Sequence, residues 1–285
     1  MATRKFFAVF GNPVGHSKSP QIHTMFAQQF GFDIEYRVIE APLDGFSEAI
    51  STFRDEGASG CNITVPFKQE AWQLADSRSG RAEMAGAVNT FRFEDDGTIF
   101  GDNTDGVGLL RDLTLNLDTT LFQKRVLVVG AGGAARGILG PLIEQAPRTL
   151  VLANRTLDKA VELAKIFSTI GPIEPCGLNE LKGQQFELVI NGTAASLSGE
   201  VPPLPDTIFS DDALAYDLMY ASQPTAFMQW AKTRSVAHIS DGLGMLVEQA
   251  AESFALWLGE RPETKAVVRT LREPLKSRAK RGPTL

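Results

Sequence analysis

The sequence predicts a two-domain α/β fold with mostly parallel sheets, and three observations predict it. Short apolar runs of strand length alternate with amphipathic helical stretches. The alternation runs once from Phe6 and starts again at Arg125. Each apolar run leads into a loop rich in Gly, Asn, Ser or Asp, which is where open α/β sheets bind ligands.

In order, Phe6–Phe10 reads as a strand, Pro20–Phe30 as a helix and Glu35–Ile39 as a strand. Asp44–Arg54 follows as a helix and Cys61–Val65 as a third strand, completing a β-α-β-α-β rhythm. Val88–Phe93 and Thr98–Asp102 flank Asp95-Asp96-Gly97, a hairpin signal, and a helix starts near Asp105. The second series begins with strand Arg125–Val129 and continues through Thr149–Ala153, Leu188–Ile190, Ala215–Asp217 and Val236–Ile239. The expected linker is Leu115–Lys124, and helices from Leu243 onward are expected to return to the first domain. The domains are therefore set at 1–114 and 115–241, with 242–285 packing back on the first.

Composition narrows the class. With 43% hydrophobic and 22% charged residues the chain is globular. No apolar run reaches the roughly 18 residues that a membrane helix needs, and MATRKFFAVFG reads as a first strand, not a signal peptide. Two cysteines and three scattered histidines give neither a disulfide framework nor a metal site, which suits a cytoplasmic protein. The net charge of −6 argues against nonspecific nucleic-acid binding. The basic tail Lys276–Arg281 reads as a solvated end.

The strongest local signal is KRVLVVGAGGAARGILGPLI. A buried strand leads into Gly130, Ala131, Gly132, Gly133, Ala134 and Ala135, then a helix, which is the G-x-G-x-x-A dinucleotide fingerprint in its required context. The glycines allow the tight turn and the approach of a pyrophosphate, and Ala135 allows close helix–strand packing. Free N–H groups at the helix start receive the phosphates. This half is therefore Rossmann-like. An NAD site usually ends the next strand in Asp or Glu. Here that strand ends in Asn154, Arg155 and Thr156, with Lys159 one turn on, so two cations flank a 2′-phosphate and NADP(H) is preferred. A helix start capped by Thr156 is the bland alternative.

Motifs in the first half are weaker one by one. In GNPVGHSKSP, Ser17 and Ser19 suit a carboxylate at a helix N-terminus, and N-capping by Ser19 explains them about as well. In NITVPFK, Thr64 and Lys68 follow a strand, and a lysine there is more often surface charge. The segments GAVNT and GDNTDG supply Asn89 and Asp105, residues that usually cap turns.

Their combination is specific. GNPVGHSKSP, NITVPFK, GAVNT, GDNTDGVGLL, GAGGAARG, ANRT, YDLMY and DGLGMLVEQAA occur together between positions 11 and 251, in the order found in shikimate dehydrogenases, which the chain resembles over nearly its whole length. The resemblance implies an NADP-dependent oxidoreductase acting on a CH–OH group. It would reversibly reduce 3-dehydroshikimate to shikimate in aromatic amino acid biosynthesis. By that resemblance Ser17 and Ser19 hold the substrate carboxylate, and Thr64 and Asn89 hold its hydroxyls. Lys68 and Asp105 form the catalytic pair, Lys68 as general acid/base and Asp105 orienting it. Whether Lys68 alone or the pair carries the proton stays open. Tyr220 and Gln249 complete the pocket. Gly130, Ala131, Gly132, Gly133, Ala134, Asn154, Arg155, Thr156, Lys159, Thr193, Met219 and Gly242 line the cofactor. The chain is expected to work as a monomer or homodimer, with neither nucleic acid nor membrane as partner.

Two positions depart from the family pattern: Ala194 in NGTAAS, where serine or proline is frequent, and Gly80, where an acid is frequent. A quinate-accepting enzyme is the nearest rival, decided around Ser17 and Ser19, and Asp158 keeps NAD in play. A non-catalytic NADP-binding sensor is a remoter one. It predicts loss of the reactive residues, all of which are present.

Overall fold

The computed structural model describes residues 4–193 and 195–280, with side chains described except at Leu197 and residues 274–280. It divides into two compact units. One runs to Gly108 and takes in Val247–Val267; the other is Leu109–Leu246 and the chain from Val268.

In the first unit, β1 (Lys5–Gly11), α1 (Ser19–Phe30), β2 (Ile34–Glu40), α2 (Phe46–Asp55) and β3 (Gly60–Ile63) realise the expected rhythm. Phe7, Ala8, Val9 and Phe10 are buried, as a strand covered on both faces requires. In α2, Phe46, Ile50 and Phe53 recur at helical spacing and are all buried, so this stripe faces the sheet. They join Phe10, Cys61, Phe67 and Phe91 in one core. Helix α1 stops at Gly31, whose φ of 69° favours glycine and whose N–H donates to the Ala27 carbonyl.

The chain continues through α3 (Lys68–Leu74), β4 (Ser77–Arg78), α4 (Gly80–Ala85), β5 (Thr90–Phe93) and β6 (Ile99–Asp102) to α5 (Asp105–Arg111), which passes into a π turn over Asp112–Asn116. The sheet order is β2-β1-β3-β5-β6-β4. Pairings β1–β2, β1–β3 and β4–β6 are parallel, and the predicted hairpin supplies the antiparallel ones. Its turn holds Gly97 at φ 86°. Gly80 begins α4, whose first turn is capped by Ser79 accepting from the Ala82 N–H at 3.1 Å.

The second unit contains β7 (Arg125–Val129), α6 (Gly133–Glu144), β8 (Thr149–Asn154), α7 (Leu157–Ile166), β9 (Glu174–Gly177), β10 (Phe186–Asn191), β11 (Phe209–Asp217), α8 (Ala226–Lys232) and β12 (His238–Asp241). Its order, β12-β11-β10-β7-β8-β9, is fully parallel and reverses direction between β7 and β10, the Rossmann arrangement. Central Val126, Leu127, Val128 and Val129 are 0% exposed, which explains their unbroken apolar run.

Strands β4, β9, β11 and β12 differ from expectation, β4 being a two-residue strand that no apolar run announces. β9 carries Pro175 and ends in Gly177, a composition tolerated because the strand lies at the sheet edge. β11 begins six residues before the predicted Ala215, through the polar Ser210, Asp211 and Asp212. β12 starts at His238 because Ser235, at φ 55°, and Val236 still close the turn after α8.

Helix α9 (Leu243–Leu258) belongs to the first unit from Val247 on, and α10 (Lys265–Lys280) follows. The basic segment from Lys276 is thus helical in its backbone up to Lys280, while Arg281 lies outside the described residues. No helix among the described residues is long and apolar enough to cross a membrane.

Candidate active site

In the first unit the loops beyond β1, β3 and β6, with Asn89 just before β5, carry the polar residues singled out above. Lys68 opens α3 and Asp105 opens α5. Lys68 Nζ lies 2.6 Å from Asp105 Oδ2, and their side chains are 19% and 9% exposed, so the lysine is drawn into a pair and is not a solvated surface charge. Asn89 Nδ2 donates to Asp105 Oδ1 at 2.7 Å. Both carboxylate oxygens thus accept, one from an ammonium and one from an amide.

Asn89 itself is fixed. Its Oδ1 accepts the Thr104 N–H at 2.9 Å, which forces the NH2 toward Asp105. Gln249 Oε1 accepts from Thr104 Oγ1 at 3.3 Å and from Asn89 Nδ2 at 3.4 Å. Gly108 permits this approach: a Cβ there would lie 2.7 Å from the Gln249 backbone nitrogen. Lys68, Asp105, Asn89 and Gln249 therefore form one cluster.

Ser17 and Ser19 form a second. Ser17 Oγ donates to Ser19 Oγ at 3.1 Å and accepts the Ser19 N–H at 3.2 Å. Ser19 is the first residue of α1, with Lys18 in the cap position and no side-chain cap, so N-capping does not account for Ser19. Thr64 is half-buried just after β3, and a Cβ on Gly11 would lie 2.5 Å from its Cγ2.

Below this layer, Asp102 is 4% exposed in its side chain and receives Arg81 through two bonds of 2.7 and 2.5 Å, with Ser79 Oγ at 2.5 Å. Burial pushes this carboxyl up, but Arg81, Ser79 and the Asn103 N–H outweigh it and hold it below the usual range. Asp102 ends β6, so this anchor fixes the strand from which Asp105 projects.

In the second unit, β7 delivers the glycine loop. Gly130 sits at φ 102°, and a Cβ on it would lie 3.0 Å from Thr193 Cγ2 and 3.1 Å from the Gly192 carbonyl carbon. The turn therefore needs glycine for both conformation and space. A Cβ on Gly132 or Gly133 would meet nothing within 4 Å beyond the local backbone, so open space adjoins the start of α6, where a phosphate can be received. Asn154 Oδ1 accepts the Ala131 N–H at 3.2 Å and Nδ2 donates to the Thr156 carbonyl at 2.8 Å, tying the loop to the end of β8. Arg155 and Lys159 are exposed. Thr156 occupies the cap position of α7 without a side-chain cap bond. This donor set, two cations with no carboxylate closing β8, fits a phosphorylated dinucleotide.

The remaining residues sit at the ends of β10, β11 and β12. Thr193 donates to Asn191 Oδ1 at 2.8 Å, and the Met219 N–H donates to Asp217 Oδ1 at 3.1 Å. Gly242 donates its N–H to the Met219 carbonyl at 3.1 Å, and a Cβ there would lie 2.1 Å from the Leu218 carbonyl oxygen. Tyr220 is half-buried, and burial followed by the Asp241 charge pushes its phenol up. Ala194 lies outside the described residues.

Comparison with known proteins decides the family. Residues 9–91 match the shikimate dehydrogenase substrate binding domain, 113–198 the shikimate / quinate 5-dehydrogenase domain and 242–272 the shikimate 5'-dehydrogenase C-terminal domain. Curated relatives include the NADP(+) shikimate dehydrogenases of Hahella chejuensis, 52% identical over 94% of this chain and 98% of that one, and of Nitrosomonas eutropha, 54% identical over 94% and 97%. The chain belongs to the shikimate dehydrogenase family.

Solved structures agree. An Ael1 enzyme from Pseudomonas putida is 46% identical with a TM-score of 0.89, covering 95% of this chain and all of that one. The Thermus thermophilus shikimate 5-dehydrogenase in complex with NADP(H) and shikimate is 31% identical with a TM-score of 0.83, covering 94% and 99%.

Within this shikimate dehydrogenase family member, sequence reasoning passed over Asn191 and Asp217. Both are 0% exposed, and Asp217 also accepts from Ser196 Oγ and Thr225 Oγ1 at 2.6 Å. They shape the loops carrying Thr193 and Met219. The available signal was a polar residue closing an apolar strand.

Proposed function

We propose that this chain catalyses the reversible, NADPH-dependent reduction of 3-dehydroshikimate to shikimate, in aromatic amino acid biosynthesis. The observation that carries the reading is the 2.6 Å Lys68–Asp105 pair, braced by Asn89, in a shikimate dehydrogenase fold. Bound NADPH supplies the hydride.

Lys68 gives its proton to the substrate oxygen on which charge develops during reduction, and takes it back from the hydroxyl during oxidation. Asp105 holds the ammonium and orients the reacting hydroxyl. Ser17 and Ser19 turn their hydroxyls to the substrate carboxylate, while Thr64, Asn89 and Gln249 hold ring hydroxyls and Tyr220 is assigned to substrate binding. Substrate binding is assigned to 1–114, NADP(H) binding to 115–241 and a supporting role to the helices of 242–285. Gly130, Ala131, Gly132, Gly133 and Ala134 offer backbone donors to the pyrophosphate. Asn154, Arg155, Thr156 and Lys159 hold the 2′-phosphate, and Thr193, Met219 and Gly242 border the nicotinamide. The enzyme is placed in the cytoplasm, as a monomer or homodimer.

The test is absorbance in the NADPH band with shikimate or quinate and NADP+ or NAD+ in parallel. Shikimate with NADP+ is the expected preferred pair. Preferred turnover of quinate, or of NAD+, would overturn the corresponding assignment.

A further inference from the structure

Behind Asn89 lies a set of polar residues with no role assigned above, buried except for the half-buried Tyr36. Tyr36, on β2, donates its hydroxyl to Asn62 Oδ1 at 2.7 Å. Asn62, on β3, donates from Nδ2 to the Asn89 carbonyl at 3.3 Å, to Thr90 Oγ1 at 3.1 Å and to Ser253 Oγ at 2.9 Å. The carbonyl is an obligate acceptor, so it fixes which end of the Asn62 amide faces inward. Thr90 Oγ1 in turn donates to Asn89 Oδ1 at 2.9 Å, and Asn89 Nδ2 donates to Asp105 Oδ1 at 2.7 Å. Asn62, Thr90, Asn89 and Ser253 are all under 7% exposed, so none of these groups can exchange its partner for bulk water.

Thr90 Oγ1 also lies 2.7 Å from Ser253 Oγ, where either hydroxyl can donate; with Ser253 donating there, the bonds run in one direction, from phenol to carboxylate. Each donor that also accepts is polarised, and it donates more strongly to the next group in a low-dielectric interior. The chain thus runs from Tyr36 on β2 to the carboxylate that faces Lys68.

We propose that Thr90, with Tyr36 and Asn62 behind it, is a positioning residue for catalysis: its hydroxyl joins the Thr104 N–H in clamping the Asn89 carboxamide oxygen, so that Nδ2 holds Asp105 in register with Lys68. This rests on the function proposed above. Val at position 90 keeps the shape and removes the donor. Thr90→Val lowers kcat for shikimate oxidation about tenfold, the cost of one buried hydrogen bond, with a smaller rise in KM because Asn89 also holds a ring hydroxyl. Thr90→Ser restores kcat, and Tyr36→Phe gives a smaller loss of the same kind. Because the effect passes through Asp105, adding Thr90→Val to Asp105→Asn causes no further loss.

An unchanged kcat in Thr90→Val overturns the proposal. So does an equal loss in the Asp105→Asn background, or a loss that Thr90→Ser fails to restore. If the wild type does not oxidise shikimate at all, the functional reading falls and the clamp is tested alone. The side-chain amide resonance of Asn89 shifts in Thr90→Val if the clamp exists, and its constancy rejects it.

Discussion

Asn89 and Lys68 grip opposite oxygens of one carboxylate: Nδ2 of the first reaches Asp105 Oδ1 at 2.7 Å and Nζ of the second reaches Oδ2 at 2.6 Å. With both oxygens engaged, Asp105 serves as an acceptor that sets the direction of the lysine, an arrangement that suits the acid–base role proposed for the ammonium. Loss of the ammonium removes that exchange. Lys68→Ala therefore slows hydride transfer about 10²–10⁴-fold, measured in a single turnover, while NADP+ binding by fluorescence titration is unaltered. A single-turnover rate equal to wild type would end the role of Lys68 as acid and base.

The two glycines of the nucleotide loop separate stability from ligand binding. Gly130 adopts φ 102° against Thr193 and Gly192, so Gly130→Ala lowers the melting temperature. Gly132 adopts φ −93° and its Cβ direction is clear of protein. Gly132→Ala keeps the melting temperature and weakens NADP+ binding, because the methyl enters the space that the pyrophosphate needs. Equal NADP+ affinity in wild type and Gly132→Ala would show that the phosphates lie elsewhere.

Arg155 is exposed at the end of β8 with no carboxylate beside it in the strand end Asn154-Arg155-Thr156. Its removal costs a charge-assisted bond to the 2′-phosphate, so Arg155→Ala raises KM for NADP+ about 10- to 100-fold and leaves KM for NAD+ nearly as it was. A parallel rise for both cofactors would instead mean a distorted loop.

His23 is 0% exposed in an aromatic cage, stacked on Tyr36 at 4.5 Å and tilted against Trp257 at 5.2 Å between ring centroids, and neither ring nitrogen has a hydrogen-bond partner. Burial pushes its pKa down to about 3 from 6.5. The unfolded chain then binds a proton that the folded one refuses. This stability term is present in full above pH 6.5 and is lost as pH falls below it, at about 1.4 kcal/mol per pH unit. His23→Phe keeps the stacking and removes the slope. Urea unfolding at pH 7.5, 6.0 and 5.0 checks it, and an identical slope in the variant would move the acid sensitivity to another group.

The chemistry-bearing residues were legible because they sit in short motifs beyond strand ends, where the topology opens the sheet. Lys68, Asp105, Asn89 and the Gly130 loop were each named from such segments. Asn191, Asp217, Asp102 and Asn62 were not, since each lies within or at the end of a strand and acts through neighbours far away in the chain. Asp102 meets Arg81 across 21 positions, and Asn62 meets Ser253 across 191. No local pattern encodes such pairings.

From the chain alone came the alternation of strands and helices, the glycine loop with its preference for a phosphorylated dinucleotide, and the family. The first two follow from periodicity, backbone freedom and charge over a few neighbouring residues, and the family from the resemblance of its ordered motifs. Tertiary structure decided that Lys68 is paired and not a surface charge, that Ser19 binds Ser17 and does not cap its helix, and which way the Asn89 amide points. Those outcomes depend on partners supplied by distant segments, and a hydrogen bond's direction is fixed only when every donor and acceptor around it has been placed.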